Sequence, residues 1–220
     1  MKYRHILIIV LLILVVDQSL KFWIKTNMFM QQEFIIFPNW FRIHFIENEG
    51  MAYGLKFGGD FGKIFLTLFR LVAVVFGFYY LNKLVKEKYH KGLLICGALI
   101  LAGAAGNLID SMFYGLIFND SIGYEVAKFM PEGGGYGSFL HGRVVDMLYF
   151  PLYEGYLPSW VPFKGGDYFV FFRPVFNVAD AAISVGVVTI LLFQKRFFAA
   201  HQTPKQPTES NNTVTNDHIA

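Results

Sequence analysis

Two aspartates carry the chemistry this sequence could do. Asp146 sits on the stretch Val144-Val145-Asp146-Met147-Leu148, read as a loop leading into the last apolar segment, and Asp180 closes Phe176-Asn177-Val178-Ala179-Asp180 just inside it. An ionisable group inside a bilayer is costly to keep there, so each marks a candidate site. Two carboxylates held close together cannot both ionise easily; one keeps a proton while the other acts as a base. Such a pair activates water and protonates a leaving amine, which is aspartic peptidase chemistry and needs no cofactor. The other reading of Asp180 is a helix N-terminal cap or dipole partner, for which aspartate is well suited.

Other nucleophiles and ligands are poorly supported. Cys96 lies mid-way through an apolar run, which reads as a small buried hydrophobe rather than a reactive thiol. His44 and His141 accompany no nucleophile elbow, and His44 falls in a strand-like stretch. No HExxH or Cys/His spacing suggests a metal.

The elements that must position the aspartates follow from composition. The 220 residues are 55% hydrophobic, 18% aromatic and 16% charged, against about 25% charged in soluble domains. The net charge of +3 gives no argument for a nucleic-acid partner. Long apolar runs predict an all-α polytopic membrane protein with four transmembrane helices, at about 6–24, 64–84, 92–110 and 176–193. These belong to one membrane-embedded domain, 1–198, with outer loops 25–63 and 111–175 and a disordered cytoplasmic tail, 199–220. Lys2 and Arg4 precede the first run as in a signal peptide, but its length and the lack of a small-residue cleavage site predict a retained helix. Aromatic and β-branched residues over 34–46 predict a small interfacial β-element in the first outer loop. Ala98, Ala102, Gly106 and Asp110 recur every four residues, a small-residue stripe against which another helix can pack closely.

Lys and Arg gather at the N-terminus, in 83–91 and after 193, which places both termini in the cytoplasm and both long loops outside. Asp17 and Lys21, Asn107 and Asp110, Asn177 and Asp180, and Asp146 then all arrive just under the outer surface. Asp180 comes about 6 Å in, at about 1.5 Å per residue. Asp17 and Lys21, spaced i,i+4, are either a neutralised pair at the interface or a prop for a polar site. Arg70, inside the second run, either snorkels or pairs with a carboxylate. Snorkelling residues alone would populate both faces, so the one-sided gathering favours a site. A small transporter or assembly subunit with a carboxylate proton relay is the rival class; it predicts polar residues across the full depth of the membrane.

Five ordered blocks are similar to signal peptidase II, the lipoprotein signal peptidase family: Asp17-Gln18…Lys21, Asn48-x-Gly50-x-Ala52…Gly54, Gly103-x-x-Gly106-Asn107-Leu108-Ile109-Asp110, Gly142-x-Val144-Val145-Asp146, and Phe176-Asn177-x-Ala179-Asp180. The resemblance implies an aspartic endopeptidase of the bacterial cytoplasmic (inner) membrane. It would cut diacylglyceryl-modified prolipoproteins before the lipidated cysteine, among membrane lipids and without cofactors, and globomycin-type cyclic peptides would inhibit it. Carried over by motif, Asp146 and Asp180 are the catalytic pair and Asn177 orients one of them. Asp17, Lys21, Asn48, Gly50, Gly54, Gly106, Asn107, Asp110 and Ala179 shape the site or hold substrate. The family usually has arginine after the Asn-Leu-Ile-Asp run; Ser111 stands here, and Arg143 is a candidate replacement. The stretches 112–140 and 151–172 are insertions that either fold over the substrate as a lid or only thicken the outer surface.

Overall fold

The computed structural model describes residues 1–49 and 59–199. Gly50, Gly54 and the tail beyond Ala199 lie outside the described residues. In chain order the helices are α1 (Tyr3–Asn27), α2 (Gly59–Lys86), α3 (Lys91–Ile109), the short α4 (Gly115–Ile117) and α5 (Val178–Phe198). A π-helical turn, Asp110–Tyr114, joins α3 to α4. α1, α2, α3 with its continuation, and α5 are long and apolar enough to cross a membrane. All four expected spans are present, each with ends shifted by a few residues.

α3 is the central helix, packed against α1, α2 and α5. Its small-residue stripe makes this possible. A Cβ at Gly103 would lie 2.2 Å from the Ala179 carbonyl oxygen, so α3 and α5 approach more closely there than a side chain allows. Ala98, Ala102 and Leu108 join Ile6, Val10 and Leu81 in the apolar core between the helices. Leu11, Leu12, Phe65, Val72, Leu191 and Leu192 point outward, as lipid-facing side chains do.

The chain is not all-α, which corrects the sequence expectation. Strands β1 (Glu33–Phe37) and β2 (Phe41–Asn48) form in the first connection, as the aromatic stretch suggested. The second connection adds β3 (Val144–Tyr149), β4 (Tyr153–Tyr156), β5 (Tyr168–Phe171) and β6 (Val175–Phe176). β1, β2, β3 and β6 form one antiparallel sheet in that order; β4 and β5 form a separate hairpin. The Asp146 stretch is therefore the central part of β3, not a loop. Its Val-Val-x-Met-Leu-Tyr composition suits a strand buried on both faces; β2 pairs along one edge, while on the other β6 pairs only with Leu148 and Tyr149 and side chains of Asp110 and Asn177 bond the Val145 backbone.

The two sheet faces have different tasks. Phe45, Val145 and Met147 pack with Ile24, Met28, Tyr114 and Phe118 into a second core at the end of the helix bundle. On the other face Asn48 and Asp146 are diagonal neighbours, because Asn48 pairs with Val144 and Ile46 with Asp146.

Candidate active site

The site forms where α1, α3, α5 and β3 meet. Asn177 is the N-cap of α5: its Oδ1 accepts the Asp180 backbone N–H at 2.9 Å. In return Asp180 Oδ2 accepts the Asn177 backbone N–H at 3.3 Å. This capping box satisfies two donors at the helix start. The capping role considered for Asp180 is thus real, but it occupies only Oδ2. Oδ1 accepts from Nδ2 of Asn107 at 2.7 Å.

Asp146 is reached from the other side of the same cap. Asn177 Nδ2 donates to Asp146 Oδ1 at 2.7 Å, and Asn48 Nδ2 donates to Oδ2 at 3.3 Å. Asn177 Nδ2 also lies 3.1 Å from Asn107 Oδ1. Asn177 and Asn107 therefore tie the two aspartates into one network. Burial, and then the charge of Asp180, push the Asp146 carboxyl up to about 7, against the opposing pull of its bonds from Asn48 and Asn177.

A charged layer supports this pair from below. Lys21 Nζ lies 2.9 Å from Asp17 Oδ2, 2.9 Å from Asp110 Oδ2 and 2.9 Å from Asn107 Oδ1, with all three charged side chains sealed from solvent. Lys21 thereby fixes the Asn107 amide so that its nitrogen faces Asp180. Asp17 Oδ1 accepts the Ala179 backbone N–H at 2.9 Å, satisfying another donor at the start of α5. Asp110 Oδ2 accepts the Val145 backbone N–H at 3.2 Å and so locates β3. Asp17 and Lys21 are thus a buried pair joined to Asp110 and Asn107. Gly106 is needed for closeness, since a Cβ there would meet Asp17 Oδ2 at 2.7 Å and the Ala179 Cβ at 3.2 Å.

Arg143 does not stand beside Ser111. It pairs with Glu47 at 3.0 Å and Asp120 at 2.7 Å, on the opposite sheet face. There Lys25, fully buried, pairs with Glu47 and hydrogen-bonds Ser121 at 2.9 Å. This second cluster pins the 118–143 segment to α1 and β2. The guanidinium that does reach Ser111 comes from Arg70, whose Nη1 lies 3.2 Å from Oγ.

Some participants were given no role of their own from sequence. Gln18 donates to Asp110 Oδ1 at 2.8 Å and accepts from the Tyr114 hydroxyl at 3.2 Å. Its signal was a second polar residue beside Asp17 in an apolar run. The signal for Lys25 is its i,i+4 spacing from Lys21, and Glu47 sits in a Glu-Asn-Glu-Gly stretch of turn-forming residues. Cys96 is buried beside Leu93 and Phe197, as expected. His44 lies within β2, 2.8 Å from Glu33.

Residues 9–196 match the family model described as signal peptidase (SPase) II. The lipoprotein signal peptidase of Porphyromonas gingivalis (strain W83) is 52% identical over 189 residues, covering 86% of this chain and 81% of the relative. The lipoprotein signal peptidase of Amoebophilus asiaticus (strain 5a2) is 40% identical over 209 residues, covering 94% and 83%. A solved bacterial membrane enzyme shares the fold with a TM-score of 0.54 at 22% identity, over 92% of this chain and 93% of the other.

Proposed function

The chain belongs to the signal peptidase II family, and on that premise we propose that it is a membrane aspartic endopeptidase acting on diacylglyceryl-modified prolipoproteins. It removes the signal peptide by cutting before the lipidated cysteine. Asp146 and Asp180 are the catalytic pair, and the observation that carries this is the Asn177–Asn107 bridge that serves both carboxylates.

The pair shares one proton near neutral pH, so one carboxyl serves as the acid and the other as the base. The base takes a proton from water as the water oxygen bonds to the scissile carbonyl carbon. The protonated carboxyl gives its proton to the carbonyl oxygen. As this gem-diol collapses, the carboxyl that took the water proton gives it to the amide nitrogen, the C–N bond breaks, and one hydroxyl of the diol returns its proton to the other carboxylate, which restores the singly protonated pair. The protein is a multi-pass bacterial membrane protein. Both termini are cytoplasmic, so the sheet end of the bundle faces outward, where an acyl-anchored substrate presents its scissile bond. A site at that depth spares the peptide from unpaired polar groups in hydrocarbon. Gly106, Ala179 and Asn48 shape the site or hold substrate, a role the motif also assigns to Gly50 and Gly54, and globomycin-type cyclic peptides inhibit by binding there.

The proton-relay rival requires carboxylates along the whole depth of the bundle. Asp17, Asp110 and Asp180 instead lie at the end carrying the sheet. The test is cleavage of a purified diacylglyceryl-modified prolipoprotein in detergent, with product mass read by mass spectrometry. A product beginning at the modified cysteine supports the reading. An intact substrate, cut by another signal peptidase II in the same detergent, overturns it.

A further inference from the structure

Between Ile64 and Leu81, α2 carries a single charge, Arg70. A guanidinium within an apolar span is costly and calls for a partner. Arg70 Nη1 donates to Ser111 Oγ at 3.2 Å; Ser111 Oγ donates to the backbone carbonyl of Asn107 at 2.9 Å; the Asn107 side-chain Nδ2 donates to Asp180 Oδ1 at 2.7 Å. The charges it feels are Asp180 from α5, Asp110 from the end of α3 and Asp146 from β3. α1 adds Asp17 and Lys21, which are joined to each other and to Asp110. With one proton shared by the pair, four carboxylates and Lys21 leave the site two charges negative. Arg70 halves that excess.

We propose that Arg70 is a positioning residue for the aspartate pair, delivering from α2 a cation that, through the Ser111 hydroxyl, tethers the α3 backbone at Asn107, whose side chain serves Asp180, and that offsets the site's negative charge. The proposal rests on the catalytic reading of Asp146 and Asp180. Removing the cation leaves the carboxylates binding their shared proton more tightly, so the alkaline fall in activity moves to higher pH. Lysine retains the charge but not the planar fork.

The experiment is the pH profile of prolipoprotein cleavage for wild type, Arg70→Gln, Arg70→Lys and the double variant Arg70→Ala/Ser111→Arg, each checked for monodisperse folded protein. Arg70→Gln is expected to lower kcat roughly tenfold or more with KM little changed, and to move the alkaline limb up by about half a pH unit or more. Arg70→Lys keeps the limb, and the double variant, whose new arginine fills the vacated space, returns both rate and limb. A folded Arg70→Gln with an unmoved limb overturns the proposal even if its rate falls, because packing alone explains that. If Arg70→Gln does not fold, the double variant decides: wild-type limb and cleavage support the proposal, and misfolding, inactivity or a shifted limb overturns it. A wild type that cuts nothing defeats the catalytic reading itself, whereas an active wild type with an indifferent Arg70 defeats only this proposal.

Discussion

The Asn177 side-chain amide donates to Asp146 Oδ1 at 2.7 Å, joining the first residue of a helix cap to the middle of a strand. The same side chain caps α5 through its oxygen. One residue therefore fixes the start of the helix that carries Asp180 and the rotamer of Asp146.

Substitutions at Asn177 separate those two tasks. Asn177→Ala loses both and is expected to cost about 1 kcal/mol of stability and roughly 100-fold or more in cleavage rate. Asn177→Ser caps comparably but has no amide to donate to Asp146. It is expected to melt near wild type and still lose activity. Thermal unfolding in detergent, run beside the cleavage assay, distinguishes the two.

Lys21 is a stability residue as well as a prop. Lys21→Met leaves Asp17 and Asp110 buried together without their cation, at a cost of about 3–5 kcal/mol. Adding Asp110→Asn removes one orphaned charge and is expected to recover part of the loss. The measurement is the melting temperature of the single and double variants; equal melting of Lys21→Met and wild type contradicts the layer's role.

The pH dependence has a defined sign. The folded-state pKa of Asp146 is raised to about 7, above an unfolded value of about 3.9. The folded protein thus binds this proton more tightly than the unfolded chain. The contribution to stability is full below the unfolded value and is lost as pH rises through about 7. Cleavage is expected to fall over the same upper range as the shared proton leaves. Asp146→Asn should flatten the melting temperature between pH 5 and 8 relative to wild type, which a pH series of thermal melts reads directly.

Gly106 tests the close approach. Alanine has the better helix propensity, by about 1 kcal/mol, yet its Cβ would press on Asp17 Oδ2 at 2.7 Å. Gly106→Ala is expected to lower both melting temperature and cleavage rate, and a rise in either contradicts the packing described.

The sequence showed its polar residues more plainly than the frame between them. Asp17, Lys21, Asn107, Asp110 and Asp180 stood out because each interrupts an apolar run, and helical spacing put them at one end. Sequence pointed to Asp180 as the cap, whereas Asn177 is the N-cap and Asp180 its partner one turn on. The strand around Asp146 was hidden, since a short apolar run reads equally as loop, strand or helix. Its partner β2 lies about a hundred residues away, and pairing of that range leaves no local mark. Arg70 could be read as snorkelling or as pairing with a carboxylate, and its link through Ser111 depends on how α2 faces α3. Arg143 was drawn to the site by its nearness to Asp146 in sequence. Strand alternation puts Asp146 and its odd-numbered neighbours on opposite faces, and the acids that claim Arg143 are Glu47 and Asp120.

The most direct test of the central claim is the cleavage rate of diacylglyceryl-modified prolipoprotein by wild type, Asp146→Asn and Asp180→Asn, each shown to be folded by thermal melting. The account predicts an active wild type and loss of at least roughly 1,000-fold in each variant, because the aspartates act as a unit. Near-normal cleavage by either folded variant contradicts it and makes that aspartate structural.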